Sequence, residues 1–345
     1  RSARSLCGSW LRRRFAGSDT WAALARAELD SGRNNPSTRV RLLLHSCQSA
    51  TARRQFAAAE AACQQALQLS AAAGFADTPQ RATVLRGLAN LRFQQDHLGE
   101  ALDLFAQALS LQERHYAVQH PMVAATLREQ AAVLLAQGRA EEAGKAALRS
   151  LVIDEQSFGA AHFELTEALQ LLATIRLAQG DREQAILYAQ RAVDGTRASL
   201  PEGHPRIAIA VSALGDVLAR AGRLSQALEQ HQAALASLEP TSDEVHAAAA
   251  ALGVAEDLLA TGQAAQALPR LEWGFHSRAL TEERLLLGRR QFAWARALWA
   301  AGPKSQHERA VALAKDAQAS FRELGSQARR ALAEVDDWLA QNPLL

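Results

Sequence analysis

Ten histidines, three cysteines and a spread of carboxylates are the side chains here that could do chemistry. Four of the histidines, His120, His162, His204 and His246, stand 42 residues apart without slippage. A metal centre would need them to converge on one ion at bonds of about 2 Å. A strict sequence interval places them instead at equivalent points of stacked copies of one unit, with helices packed about 10 Å apart. The spacing therefore predicts no metal site. It assigns each histidine to a loop, where its side chain caps the helix that follows.

The remaining histidines, His45, His97, His115, His231, His276 and His307, fit no Ser/His/Asp or Cys/His arrangement. There is no HExxH, no glycine-rich phosphate loop and no CxxC. Acidic pairs such as Glu141–Glu142 and Asp336–Asp337 fall on faces expected to be solvated. The sequence predicts no catalytic residue, no metal and no cofactor, so an enzyme is not expected.

Other residues keep the same interval. Gly138, Gly180 and Gly222 hold it, as do Ala59, Ala101, Ala143, Ala185 and Ala227, and Pro121 matches Pro205. Glycine suits the left-handed end of a helix that turns sharply into its partner. Alanine suits the point where two helices approach closely. The chain reads as helix pairs from 36 to 324. A basic, disordered leader or linker (1–18) and an N-terminal helix with its break (19–35) precede the array. A capping helix and tail (325–345) follow it. In the sixth pair Gly262 and Ala267 arrive two residues early, so the loop after Pro240 is expected to be re-cut. Trp273, Trp294, Trp299 and Trp338 gather in the last quarter, where large side chains fill irregular packing or, alternatively, anchor a partner.

Composition agrees. Of 345 residues, 48% are hydrophobic and only 5% aromatic, which suits close helix packing better than strands. The net charge of +2 gives no global reason for nucleic-acid binding. No apolar run reaches the length of a membrane span, and no secretory signal is present, so a cytoplasmic protein is expected. Membrane association has one route, the arginines Arg1, Arg4, Arg12, Arg13 and Arg14 of the leader or segments upstream. Lysine is confined to Lys145, Lys304 and Lys315, read as the bias of a GC-rich bacterial genome. Cys47 and Cys63 occupy small-residue packing positions and are expected to be buried neighbours left as thiols, which favours a reducing compartment. The chain opens on Arg1, as expected of a processed product or a fragment.

The segments HPMVAATLREQAAVLLAQGRAEEA, from His120, and GHPRIAIAVSALGDVLARAGRLSQA, from Gly203, resemble the tetratricopeptide repeat in its 42-residue, kinesin-light-chain form. That resemblance implies an all-α, right-handed superhelical solenoid of about seven helix pairs with a C-terminal capping helix. It also implies a concave face lined by the first helix of each pair. By register that face carries Arg86, Asn90, Gln94, Arg128, Glu167, Gln170, Thr174, Ser212, Asp216, Arg220 and Glu256. The paired asparagines of the kinesin pattern are replaced by Arg128-Glu129, Gln170-Leu171 and Ser212-Ala213, so that family's ligand does not carry over.

The segment LLLGRRQFAWARALWAAG through DDWLAQ resembles the end of the repeat region in bacterial serine/threonine protein kinases. The function expected is a non-catalytic scaffold binding a peptide or partner domain, with Arg128 and Arg220 meeting its acidic groups. The alternatives are a regulatory or recruiting tail of a larger bacterial enzyme such as a kinase, and a peptide-sensing regulator.

Overall fold

The computed structural model describes residues 36–72, 76–238, 244–272 and 284–343. The expected leader, the N-terminal helix with its break (19–35), Cys7 and Trp273 lie outside them. All regular structure among the described residues is helical. The chain forms two compact units, one ending at Gly159 and the other beginning at Ala160.

In the first unit, α1 (Pro36–Ala52) pairs with α2 (Phe56–Ala72), α3 (Pro79–Gln94) with α4 (Leu98–His115), and α5 (Pro121–Ala136) with α6 (Ala140–Phe158). In the second, a 3-10 turn at Phe163–Leu165 leads into α7 (Thr166–Ala178), which pairs with α8 (Arg182–Ser199). Then α9 (Pro205–Ala221) pairs with α10 (Leu224–Leu238), α11 (Glu244–Ala260) with α12 (Ala264–Glu272), and α13 (Arg284–Ala301) with α14 (His307–Leu324). The last helix, α15 (Arg329–Gln341), covers α14. Seven pairs and a capping helix are thus present among the described residues, as the register predicts. Within each unit the first helices of successive pairs also touch: α1 with α3, α3 with α5, and α7, α9, α11 and α13 in series.

Three of the four periodic histidines do what the spacing assigns them. Nδ1 of His120, His162 and His204 accepts the backbone N–H of Met122, Glu164 and Arg206 at 3.1, 3.2 and 3.2 Å. Each satisfies one of the N–H groups that a helix start leaves open. Thr78 does the same for α3 through Arg81 N–H. His246 corrects the expectation, because it lies inside α11, two residues past its start. The two-residue shortening falls before α11, as the early Gly262 and Ala267 imply. The 42-residue interval therefore lands within the helix, and Glu244 takes the histidine's place in register.

The turn positions follow the register more faithfully than the glycines do. Gly138, Gly180 and Gly222 sit at φ of 82°, 83° and 87°, and one and two periods earlier Asp96 (70°) and Arg54 (57°) adopt the same left-handed conformation. The five periodic alanines, Ala59, Ala101, Ala143, Ala185 and Ala227, are each 0% exposed, as close helix contact requires. The sixth pair is irregular. Its second helix, α12, spans nine residues and contains Pro269. Nε of Arg290 on α13 donates to Leu271 O at 2.9 Å near the C-terminal end of α12, where carbonyls lack intrahelical donors. Burial pushes the Arg290 guanidinium pKa down to about 10.

At the C-terminal end Trp294 is buried. Trp299 meets Trp338 edge-to-face at 5.6 Å and stacks on His307 at 4.1 Å, and Phe292 meets Trp338 edge-to-face at 6.0 Å. Trp299 and Trp338 therefore tie the capping helix to α13.

Cys47 and Cys63 are buried neighbours, as expected, but they are joined as a disulfide rather than left as thiols. They hold the register of Ala89–Phe105 and Ala131–Ala147 in the next pairs. Their Cα atoms stand 5.2 Å apart, the separation a cystine spans. Closing a loop across 16 positions stabilises by about 3 kcal/mol through the unfolded chain. The argument for a reducing compartment loses its premise. Among the described residues no helix is long and apolar enough to cross a membrane.

Candidate functional site

All eleven residues assigned to the inner face lie on first helices, four in the first unit and seven in the second. Arg86 and Asn90 are buried, and the other nine are half-buried. Polar side chains at this depth keep the helix face from being plain core, and each needs a partner.

In the first unit the partners lie across repeats and across the pair. Glu129 on α5 accepts a hydrogen bond from Asn90 Nδ2 on α3 at 3.0 Å, and the same oxygen stands 3.6 Å from Arg86 Nε. Arg86 and Glu129 are 4% and 8% exposed, so this network joins two first helices below the surface. Nη1 of Arg86 is buried with no hydrogen-bond partner. Arg128, the neighbour of Glu129, turns into its own pair and donates from Nη1 to Asp154 on α6 at 2.9 Å. Its charge thus offsets that of a buried carboxylate. Gln94 is half-buried at the end of α3.

In the second unit Glu167, Gln170 and Thr174 lie along α7, with the Thr174 hydroxyl donating to Gln170 O at 3.0 Å. Ser212, Asp216 and Arg220 lie four residues apart on α9 and so share one stripe. Asp216 stands 3.5 Å from His231 Nε2, and His231 Nδ1 lies 2.6 Å from Asp257 on α11. The imidazole fills the space of two absent side chains. A Cβ on Gly215 or on Gly253 would come within 2.7 or 2.6 Å of the ring. Glu256 receives Nε of Arg289 on α13 at 3.0 Å, with Nη2 making a second bond.

These networks bind neighbouring helices and present a dense polar face. His231 and Asp257 have the base-and-orienter geometry of a hydrolytic triad, but the imidazole is 1% exposed and offers no surface to a substrate. Among the described residues no three His, Cys, Asp or Glu side chains are placed to hold a metal ion. Sequence reasoning did not find Asp154, His231, Asp257 or Arg289 as partners. A signal existed for the central pair: His231 holds the register of Ala147 and Ala189, and a polar ring at such a position needs a polar neighbour.

The tetratricopeptide repeat family matches residues 38–114 and 122–198, and the resemblance of the C-terminal segment to the kinase repeat regions is not shown by this match. A sequence search of curated proteins finds no match. Among solved structures, a Rap protein complexed with Competence and Sporulation Factor aligns over 99% of both chains at 16% identity, with a TM-score of 0.64. The Podosopora anserina kinesin light chain TPR-like repeats align over 61% of this chain and 99% of theirs, at 20% identity and a TM-score of 0.52. BtubC from P. vanneervenii aligns over 66% of this chain and 90% of its own, at 19% identity and a TM-score of 0.53. At such identities the likeness is one of fold. With the periodic caps, turns and alanines, it makes residues 38–114 and 122–198 tetratricopeptide repeats of the 42-residue form, an architecture that the helix pairs beyond them continue.

Proposed function

We propose that the chain is a non-catalytic scaffold that holds a peptide or a partner domain on the face built by its first helices. The observation that carries this reading is the half-buried polar stripe from Ser212 to Arg220 on α9, beside Gln170 on α7. A face of fixed donors and acceptors, immobilised by cross-helix bonds, meets an extended backbone at low entropic cost. A peptide-sensing regulator is the second reading, supported by the Rap likeness, which runs the length of both chains and comes from a complex with a factor.

The test uses substitutions that remove no structural bond. Gln170→Arg and Ser212→Arg would fill the face with bulk. Each should weaken a peptide selected from a random display library on the full chain by at least ~10-fold, about 1.4 kcal/mol, with thermal stability kept. Leu187→Ala on the exposed side of α8 is the control. Unchanged affinity in both arginine variants would move the site off this face.

A further inference from the structure

We infer that the Cys47–Cys63 bond makes the first helix pair a redox-controlled end of the array, docked on α3 when oxidised and opened when reduced. The second helix of this pair brings little bulk to full burial, its larger apolar side chains Phe56, Leu67 and Leu69 being only partly buried. The fully buried side chains of α2 are Ala59, Cys63, Ala66 and Ser70, none larger than cysteine, whereas α4 buries Phe105 and Leu111. Its turn places Arg54 at φ 57°, a conformation that later repeats give to glycine. The covalent link supplies what these residues do not.

The bond joins α1 to α2 on the side of the pair that packs against α3. Cys47 and Cys63 pack in one cluster with Leu88 and Leu91 of α3. Leu44 of α1 lies where a Cβ on Gly87 would be, at 2.6 Å. Outside this contact, Arg92 of α3 grips Glu60 of α2 through two guanidinium nitrogens. Opening the pair would uncover Leu88 and Leu91 and, beside them, Val84 and Leu85, which Val40, Ala66 and Leu67 cover in the closed form.

The reductant is a dithiol. One of its thiolates attacks a cystine sulfur, forms a mixed disulfide and expels the other cysteine as a thiolate. Its second thiol then closes its own disulfide. Two electrons pass to Cys47 and Cys63, and two protons complete their thiols. Both cysteines are 0% exposed, so attack waits for local opening of the pair.

Hydrogen exchange by mass spectrometry on the full chain, before and after dithiothreitol, tests this. In the oxidised protein α1 and α2 should be protected. After reduction their amides should exchange about a hundredfold faster, the loss expected when a loop of this length is no longer closed. Protection at 121–158 and 160–343 should stay as it was. Cys47→Ala/Cys63→Ala should show the reduced pattern without dithiothreitol and be indifferent to it. Unchanged protection of α1 and α2 after reduction would overturn the inference. So would loss that spreads beyond α4, or free thiols at both positions in protein alkylated before any reductant is added.

Discussion

His231 Nδ1 lies 2.6 Å from a carboxylate oxygen of Asp257, and the two residues, on α10 and α11, are 1% and 2% exposed. This contact joins the fifth pair to the sixth in place of an apolar one. It exists because Gly215 and Gly253 leave room for the ring.

Alanine at one of those glycines should therefore act against its usual direction. A helical glycine replaced by alanine ordinarily gains about 1 kcal/mol from propensity. At Gly253 the new Cβ would stand 2.6 Å from an imidazole that Asp257 and two helices hold in place. Overpacking of this kind costs about 1–3 kcal/mol and should outweigh the gain. Gly253→Ala should lower the urea midpoint. Gly99→Ala, where nothing lies within 4 Å of the added Cβ, should not.

Arg128 illustrates a different conflict. Its guanidinium donates to Asp154, whose side chain is 5% exposed. Arg128→Ala would leave that carboxylate buried beside a weaker set of donors, at about 3 kcal/mol. The variant should melt earlier whether or not a peptide is present. Arg128→Ala/Asp154→Ala should recover part of the loss, and a double-mutant cycle by thermal melting with no coupling would show the pair to be independent.

The turn positions separate two opposing terms. Asp96 is left-handed at φ 70°, where glycine relieves about 0.5–1 kcal/mol of backbone cost that aspartate partly tolerates, so Asp96→Gly should gain this backbone term against the loss of its side-chain contact. Arg54 pays more for its φ of 57°, but its guanidinium stands 5.0 Å from the Phe56 ring centre. That contact contributes about 0.5–1 kcal/mol, so Arg54→Gly should come out near neutral. Chemical denaturation of the two variants side by side distinguishes the terms.

What repeats was legible in the sequence, and what substitutes for a repeat was not. His120, Gly138 and Ala143 reappear with the same type at the same interval, and the structure gives them one cap, one turn and one contact. Asp96 and Arg54 keep the turn's conformation with different side chains, so residue identity hid them. The disulfide was hidden for a similar reason: at Cys47 and Cys63 the register says only that small residues meet, and cystine and two thiols share that spacing. The inner face was legible as positions but not as bonds. The partner of Glu256 is Arg289, 33 residues on, an offset that matches no regular period.

The Glu60–Arg92 pair gives the fold a predictable acid limb. Hydrogen bonding to Arg92 holds the Glu60 carboxyl below its ordinary value of 4.5, and the guanidinium of Arg92 is raised in turn. A depressed carboxylate binds its proton more readily in the unfolded chain. Its contribution to stability is therefore present above the ordinary carboxylate range and is lost as pH falls through the depressed value. Both side chains are partly solvated, at 24% and 18% exposure, which limits the contribution to about 1 kcal/mol. Glu60→Gln keeps an acceptor but no charge. Its urea midpoint should lie below that of the wild type at about pH 7, and the gap should narrow as pH falls below the ordinary carboxylate range and close only where Glu60 takes up its proton in the folded chain. A gap that stays constant as pH falls would mean that shape, not charge, fastens α2 to α3 at this point.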